Sequence, residues 1–190
     1  MQKLHLGMLV AAIFLAGCSS TVAGGKSATS AQVSVAKADI VQFDKLAGYN
    51  SAQTRIANKI TARFAAAGYG PAQQIAAVSV AIRESTLNPN ARNRGCNCYG
   101  LFQMNRSGGL GKGHTVANLT NADYNISLII KEANRFSSFA SAKTVDQAVS
   151  AFVRNVTRPA DKPGVVRATQ RTARKVEQSA NSRSLALLGD

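Results

Sequence analysis

Tryptophan is absent from the 190 residues, which leaves four Tyr and seven Phe as the only rings able to stack on a ligand. Acids are scarce: nine Asp and Glu stand against 23 Lys and Arg, for a formal net charge of +14. Such an excess fits polyanionic surroundings, whether nucleic acid, anionic lipid or an acidic polysaccharide. Charged residues are only 17% of the chain, too sparse for a purely basic arm. Three Cys and two His fall short of a zinc module, so no metal and no cofactor are expected. No apolar run approaches the roughly 20 residues that a membrane-spanning helix needs. Apolar residues still make up 45% of the chain, enough for a core, and the length suits one domain with appendages.

The amino terminus reads as an export signal. Lys3 supplies the positive start, and Leu6 to Leu15 is a short apolar run broken weakly by Gly7. It closes on Leu15-Ala16-Gly17-Cys18, which resembles a bacterial lipobox, so residues 1–17 are expected to be removed and Cys18 acylated. Two or more acyl chains, at about 0.8 kcal/mol per buried methylene, hold a protein on a membrane. Ser19 and Ser20 follow in place of Asp, and likeness to Gram-negative lipoproteins then implies the periplasmic face of the outer membrane. Residues 18–38 are mostly Ser, Thr, Gly, Ala and Val and read as a flexible tether, so folding is expected to begin near Asp39.

From residue 39 the patterning predicts a mainly α fold with a long loop or small hairpin. Ile56, Ile60 and Phe64 recur every fourth residue in a helix over 52–67, which Gly68 and Gly70 stop. Pro71 suits the first position of the next helix. That helix carries Ile75, Val78 and Ile82 on one face and Ala77, Val80, Ala81 and Glu84 on the other, a two-sided apolar pattern typical of burial. Residues 87–116 read as Asn- and Gly-rich loop with a short strand at 99–104. Further helices are predicted from a cap at Thr120, from the Thr144-to-Gln147 capping box until Pro159, and from Pro163 onward. The last one bears a basic stripe of Arg167, Arg171, Arg174 and Lys175, and residues 181–190 read as a tail.

Glu84 closes a buried helix and opens a polar loop. Glycosidic cleavage needs a carboxylic acid that is still protonated near neutral pH, and desolvation supplies one by penalising the anion. The plain alternative is a Glu that pairs with Arg83. The neighbouring residues bear on the choice. Glu84-Ser85-Thr86-Leu87-Asn88-Pro89-Asn90-Ala91 is followed by Gly100-Leu101-Phe102-Gln103-Met104-Asn105. This pair resembles the catalytic core of the soluble lytic transglycosylase and goose-type lysozyme superfamily. Tyr124-Asn125-Ile126 is similar to the Asn-Ile segment of that superfamily, although its Gly three residues after the Asn is Leu128 here. Phe152 to Ala160, with Arg158-Pro159-Ala160, resembles the ending of phage-tail lysozyme domains, while the Ala-Tyr-Asn-x-Gly motif of typical lytic transglycosylases is missing.

The resemblance implies a lysozyme-like domain over residues 39–180 acting on peptidoglycan glycan strands. It implies Glu84 as general acid, Ser85 and Gln103 orienting sugar groups with Asn105 as a further contributor, and Leu101 and Phe102 walling a cleft. Tyr99 would stack on a sugar ring, and Tyr124 and Asn125 are further candidate contacts. Asn88 and Pro89 are expected to shape the loop. Between Glu84 and Asp123 there is no acid, which favours a mechanism with a single Glu and a 1,6-anhydro product. Hydrolysis stays open if Asp123 or Asp161 folds close enough to activate water. A non-catalytic peptidoglycan-binding lipoprotein is the competing reading. Export, and the lack of a basic-aromatic module, argue against nucleic acid as partner. Cys96 and Cys98 either form a tight local disulfide, stay as thiols or pair between molecules.

Overall fold

A computed structural model describes residues 39–186, with side chains through residue 180. The expected signal, Cys18 and the tether lie outside the described residues. The first two helices are α1 (Ser51–Ala66) and α2 (Pro71–Ser85). A three-stranded antiparallel sheet follows, β1 (Arg92–Asn93), β2 (Cys98–Tyr99) and β3 (Met104–Asn105), in the order β1-β2-β3. After a 3₁₀ turn at Gly109–Gly111 come α3 (Val116–Thr120), α4 (Ala122–Ala133), α5 (Ser137–Ala140) and α6 (Val145–Ala151). A π-helical stretch, Phe152–Thr157, leads to α7 (Lys162–Ala186). The fold is therefore mainly helical with one small sheet, and no described helix is long and apolar enough to cross a membrane.

Local chemistry accounts for most of these boundaries. Asn50 and Gln53 form a reciprocal capping box at the start of α1, each side chain accepting the other's amide hydrogen at 2.9 Å. Pro71 opens α2, where a missing amide hydrogen costs nothing. Every residue from Gln73 to Ile82 is buried, as the two-sided apolar pattern predicts. α2 is the central rod, packed against α1, α6 and α7. Its polar residues are satisfied inside: Gln74 Nε2 donates to the carbonyls of Asp39 and Tyr69, and its Oε1 accepts from Val41 N. Phe64, Phe139 and Phe152 sit beside it, with edge-on contacts between Phe139 and the other two. Burying each such ring contributes about 1.5–3 kcal/mol.

Several expected boundaries move. The helix expected from Thr120 starts at Ala122: Asn121 is the cap, and Thr120 instead ends α3 with its hydroxyl donated back to Val116 O at 2.9 Å. The strand expected at 99–104 is two short strands flanking a turn at residues 100–103. The Thr144 box is half-formed, because Gln147 Oε1 accepts from Lys143 N and not from Thr144 N. Arg158, at φ 49°, stops the π-helical stretch one residue before Pro159, and its amide donates to Val153 O. α7 begins at Lys162, where Asp161 Oδ1 accepts from Gly164 N, and it runs to Ala186.

Candidate active site

Glu84 occupies the penultimate position of α2, half-buried, after ten residues shielded from water. Loss of hydration raises its carboxyl pKa above the usual range, and the adjacent exposed Arg83 opposes this only in part. No ion pair to Arg83 forms, so the plain alternative for this residue is not realised among the described contacts. Ser85 turns its hydroxyl back to donate to Ala81 O at 3.0 Å. The hydroxyl oxygen keeps its capacity to accept a hydrogen bond.

The helix stops abruptly after Ser85. Thr86 and Leu87 both adopt left-handed backbone, at φ 54° and 60°, a conformation that costs a non-glycine residue roughly 1–2 kcal/mol. Leu87 is only 1% exposed, and burying its side chain offsets about that much. From α1, Gln53 Nε2 donates to Thr86 O at 2.9 Å, so one residue both caps α1 and fastens the turn behind Glu84. Gln53 escaped the sequence reading, although its Asn-x-x-Gln spacing from Asn50 is a recognisable capping signature.

A run of backbone bonds then carries the chain from Glu84 to Gln103. Asn88 N donates to Ser85 O, Ala91 N to Asn88 O, and Gly100 N to Ala91 O. Gln103 Nε2 closes the run by donating to Gly100 O at 2.9 Å and to Ala91 O at 3.4 Å. The two sequence motifs are thus joined into one hydrogen-bonded loop, with the Gln103 carbonyl oxygen accepting nothing from the described residues. Asn88 shapes this loop as expected, its Oδ1 accepting from Asn90 N.

Four of the candidate residues are interior or structural. Phe102 is 4% exposed and packs against Phe152, and Leu101 is fully buried, so neither walls an open cleft. Asn125 is also fully buried: its Oδ1 accepts from Phe102 N, and its Nδ2 donates to Leu119 O and Tyr99 O. It clamps the Gly-Leu-Phe-Gln turn onto α3 and α4 and is out of a ligand's reach. Asn105 Oδ1 is engaged by the amides of Ser107 and Gly108, which makes it a turn former. Leu101 and Phe102 read as loop residues, but their turn folds inward against Asn125 on α4.

Two aromatic candidates remain accessible. Tyr99 is partly exposed on β2 with the Arg106 guanidinium 6.0 Å from its ring centre. Tyr124 is partly exposed, and its hydroxyl lies 2.8 Å from His114 Nδ1. Cys96 and Cys98 are joined in a disulfide beside Tyr99. Two hollows flank the loop after Glu84: one of about 620 Å³ between α1 and Leu87, Asn88 and Pro89, the other of about 390 Å³ between Tyr49, Ile82, Thr86 and α7. Glu84 lines neither of these two.

The later motif also has a structural role. Arg158 Nη1 lies 3.1 Å from Glu132 Oε1, and Arg135 Nη1 bonds Glu132 Oε2 at 2.9 Å. Glu132 is 4% exposed, so this pairing neutralises a buried carboxylate and ties α4 to the end of the π-helical stretch.

No curated protein and no solved structure matches the chain. The model of the phage tail lysozyme family matches residues 55–182. That span takes in Glu84, the loop closed by Gln103, the Asn125 clamp and the Arg158 pairing, and the chain belongs to the phage tail lysozyme family.

Proposed function

We propose that this chain is a membrane-anchored peptidoglycan lytic transglycosylase that uses Glu84 alone as acid and then base. Family membership implies cleavage of glycosidic bonds in peptidoglycan. The finer reading is carried by one observation: Glu84 is partly withdrawn from water and holds its proton beyond the usual carboxyl range.

The Glu84 carboxyl donates its proton to the oxygen joining N-acetylmuramic acid to N-acetylglucosamine as the C1–O bond breaks. The resulting carboxylate takes the proton of the muramic acid 6-hydroxyl while that oxygen bonds to C1. The products are a new 4-hydroxyl and a 1,6-anhydro end, and Glu84 returns to its protonated form. Hydrolysis ordinarily employs a second carboxylate. The two acids that sequence left eligible have other work: Asp123 is paired to Lys59 at 2.6 Å and to Arg63 at 3.4 Å, and Asp161 caps α7. Those commitments support the single-Glu route.

The anchor rests on residues 1–18. Labelling with radioactive palmitate, with Cys18→Ala as control, tests it independently of the enzyme. Activity is tested by clearing of a sacculus suspension with the full chain and with Glu84→Gln. A loss of about 10²- to 10⁴-fold is expected, the usual contribution of a general acid. Equal clearing by both would remove Glu84 from the acid role.

A further inference from the structure

Between Glu84 and Asp123 the chain contains no acid, yet Arg92, Arg94, Arg106 and Lys112 all fall there. All four are exposed, and none enters an ion pair among the described residues, whereas Lys59, Arg63, Arg135, Arg158 and Arg174 each have an acidic partner. Other cations of the described chain also lack an ion pair, but in this segment no acid is present to offset the four.

Geometry brings two of these cations to one ring. Arg92 on β1 stands directly across from Tyr99 on β2, and opposed residues of an antiparallel pair share a face. Arg106 places its guanidinium against the same ring at 6.0 Å. The platform is braced: Cys96 and Cys98 are bridged, Arg106 N donates to Asn97 O, and Asn97 Nδ2 donates to Ser107 Oγ. Arg106 Nε also donates to His114 O at 2.9 Å. Arg92 directly follows Ala91, whose carbonyl receives both Gly100 N and the Gln103 side chain. The cationic face thus begins where the loop that follows Glu84 ends.

We propose that this face, built on Arg92 and Arg106 around Tyr99 with Arg94 just beyond β1, binds the carboxylates of the peptide stems carried by the glycan strand, so that the protein selects peptide-bearing over stripped strands. The inference rests on peptidoglycan being the polymer at Glu84. A strand laid along the loop has muramic acid residues at regular intervals, each bearing a stem with free carboxylates. Those stems reach the sheet while the sugars lie at Glu84. Guanidinium groups match carboxylates through paired N–H donors, and a ring beneath them adds a stacking surface. Anionic lipid headgroups are the competing occupant, but they need neither the ring nor nearness to the Glu84 loop.

The test measures binding rather than cleavage, so that its failure is seen apart from failure of the enzymatic reading. The full chain carrying Glu84→Gln is cosedimented with intact sacculi and with sacculi whose stems have been removed by an amidase. It is compared with the same chain carrying Arg92→Gln, Arg94→Gln and Arg106→Gln in addition, with thermal midpoints taken to show that both are folded. The parent is expected to prefer intact sacculi by about tenfold, since several exposed charge contacts, each weak alone, act together. The preference is expected to shrink to about twofold or less in the triple variant, and to weaken in high salt because such contacts are screened within about 8 Å even at physiological ionic strength. Equal affinity of the parent for both polymers, or an undiminished preference in the triple variant, would overturn the proposal. So would loss of binding to phosphatidylglycerol vesicles with the stem preference intact. Sacculus digestion by the unmutated chain, run in parallel, reports on the enzymatic reading alone.

Discussion

Gly100 and Asn125 fit against each other so closely that only glycine is possible at position 100. A Cβ there would collide with Asn125 Nδ2 and with Leu119 O, and the backbone at φ 80° already favours glycine. The contact lets the Asn125 amide reach Phe102 N at 3.1 Å and Leu119 O at 2.9 Å. This pair holds the turn that presents Gln103 to the Glu84 loop.

Replacing Asn125 by Ala therefore leaves buried donors and acceptors without partners. We expect a loss of about 2–4 kcal/mol in urea unfolding, each orphaned group contributing about 1–3 kcal/mol. Gly100→Ala is expected to destabilise comparably. Stability within 0.5 kcal/mol of the parent, about the size of an ordinary surface substitution, would show that the clamp is dispensable.

The raised pKa of Glu84 has a definite signature with pH. The folded state holds the proton more tightly than the unfolded state does, so stability falls as pH rises from about 4.3, the ordinary Glu value, through the folded-state pKa. Glu84→Gln, which lacks the charge, should melt higher than the parent at pH 7, and the gap should close at pH 3–4, below the ordinary Glu value. Cleavage by the parent should decline on the alkaline side as Glu84 ionises. A melting gap that is constant with pH would contradict the desolvation account.

Sequence and structure agree most closely where local chemistry is decisive. The two-sided apolar pattern around Glu84, Pro71 at the start of α2 and the buried-helix assignment needed no tertiary information. Agreement weakens where neighbours compete. Thr120 and Asn121 are both good caps and stand side by side; only packing of α3 makes Asn121 the cap, its Oδ1 accepting from Tyr124 N at 3.0 Å. Phe102 read as a cleft residue because spacing cannot say that its loop folds inward, and Asn125 read as a contact because spacing cannot say that this loop covers the start of α4. Val149, Phe152, Val153 and Val156 suit an ordinary α-helix, and the wider π turn there closes on the left-handed Arg158.

The buried Glu132 makes Arg158 more than a surface charge. Arg158→Ala should cost about 1–3 kcal/mol, less than loss of a sole partner because Arg135 still pairs with the carboxylate. Adding Glu132→Gln to Arg158→Ala should recover part of that loss. A double variant as unstable as the sum of the two single changes would deny the coupling.

The Cys96–Cys98 bridge encloses a single residue, so it constrains little of the unfolded chain. Changing both to Ser should cost about 1–2 kcal/mol in unfolding experiments. Its larger effect should be on the sheet platform, read as a weaker preference for peptide-bearing sacculi.

The decisive measurement is mass spectrometry of the fragments that the full chain releases from purified sacculi. Fragments ending in 1,6-anhydromuramic acid, absent when Glu84→Gln is used, are the predicted result. Fragments with reducing ends, or anhydro fragments in undiminished yield from Glu84→Gln, would contradict a mechanism in which this one carboxyl both gives and takes the proton.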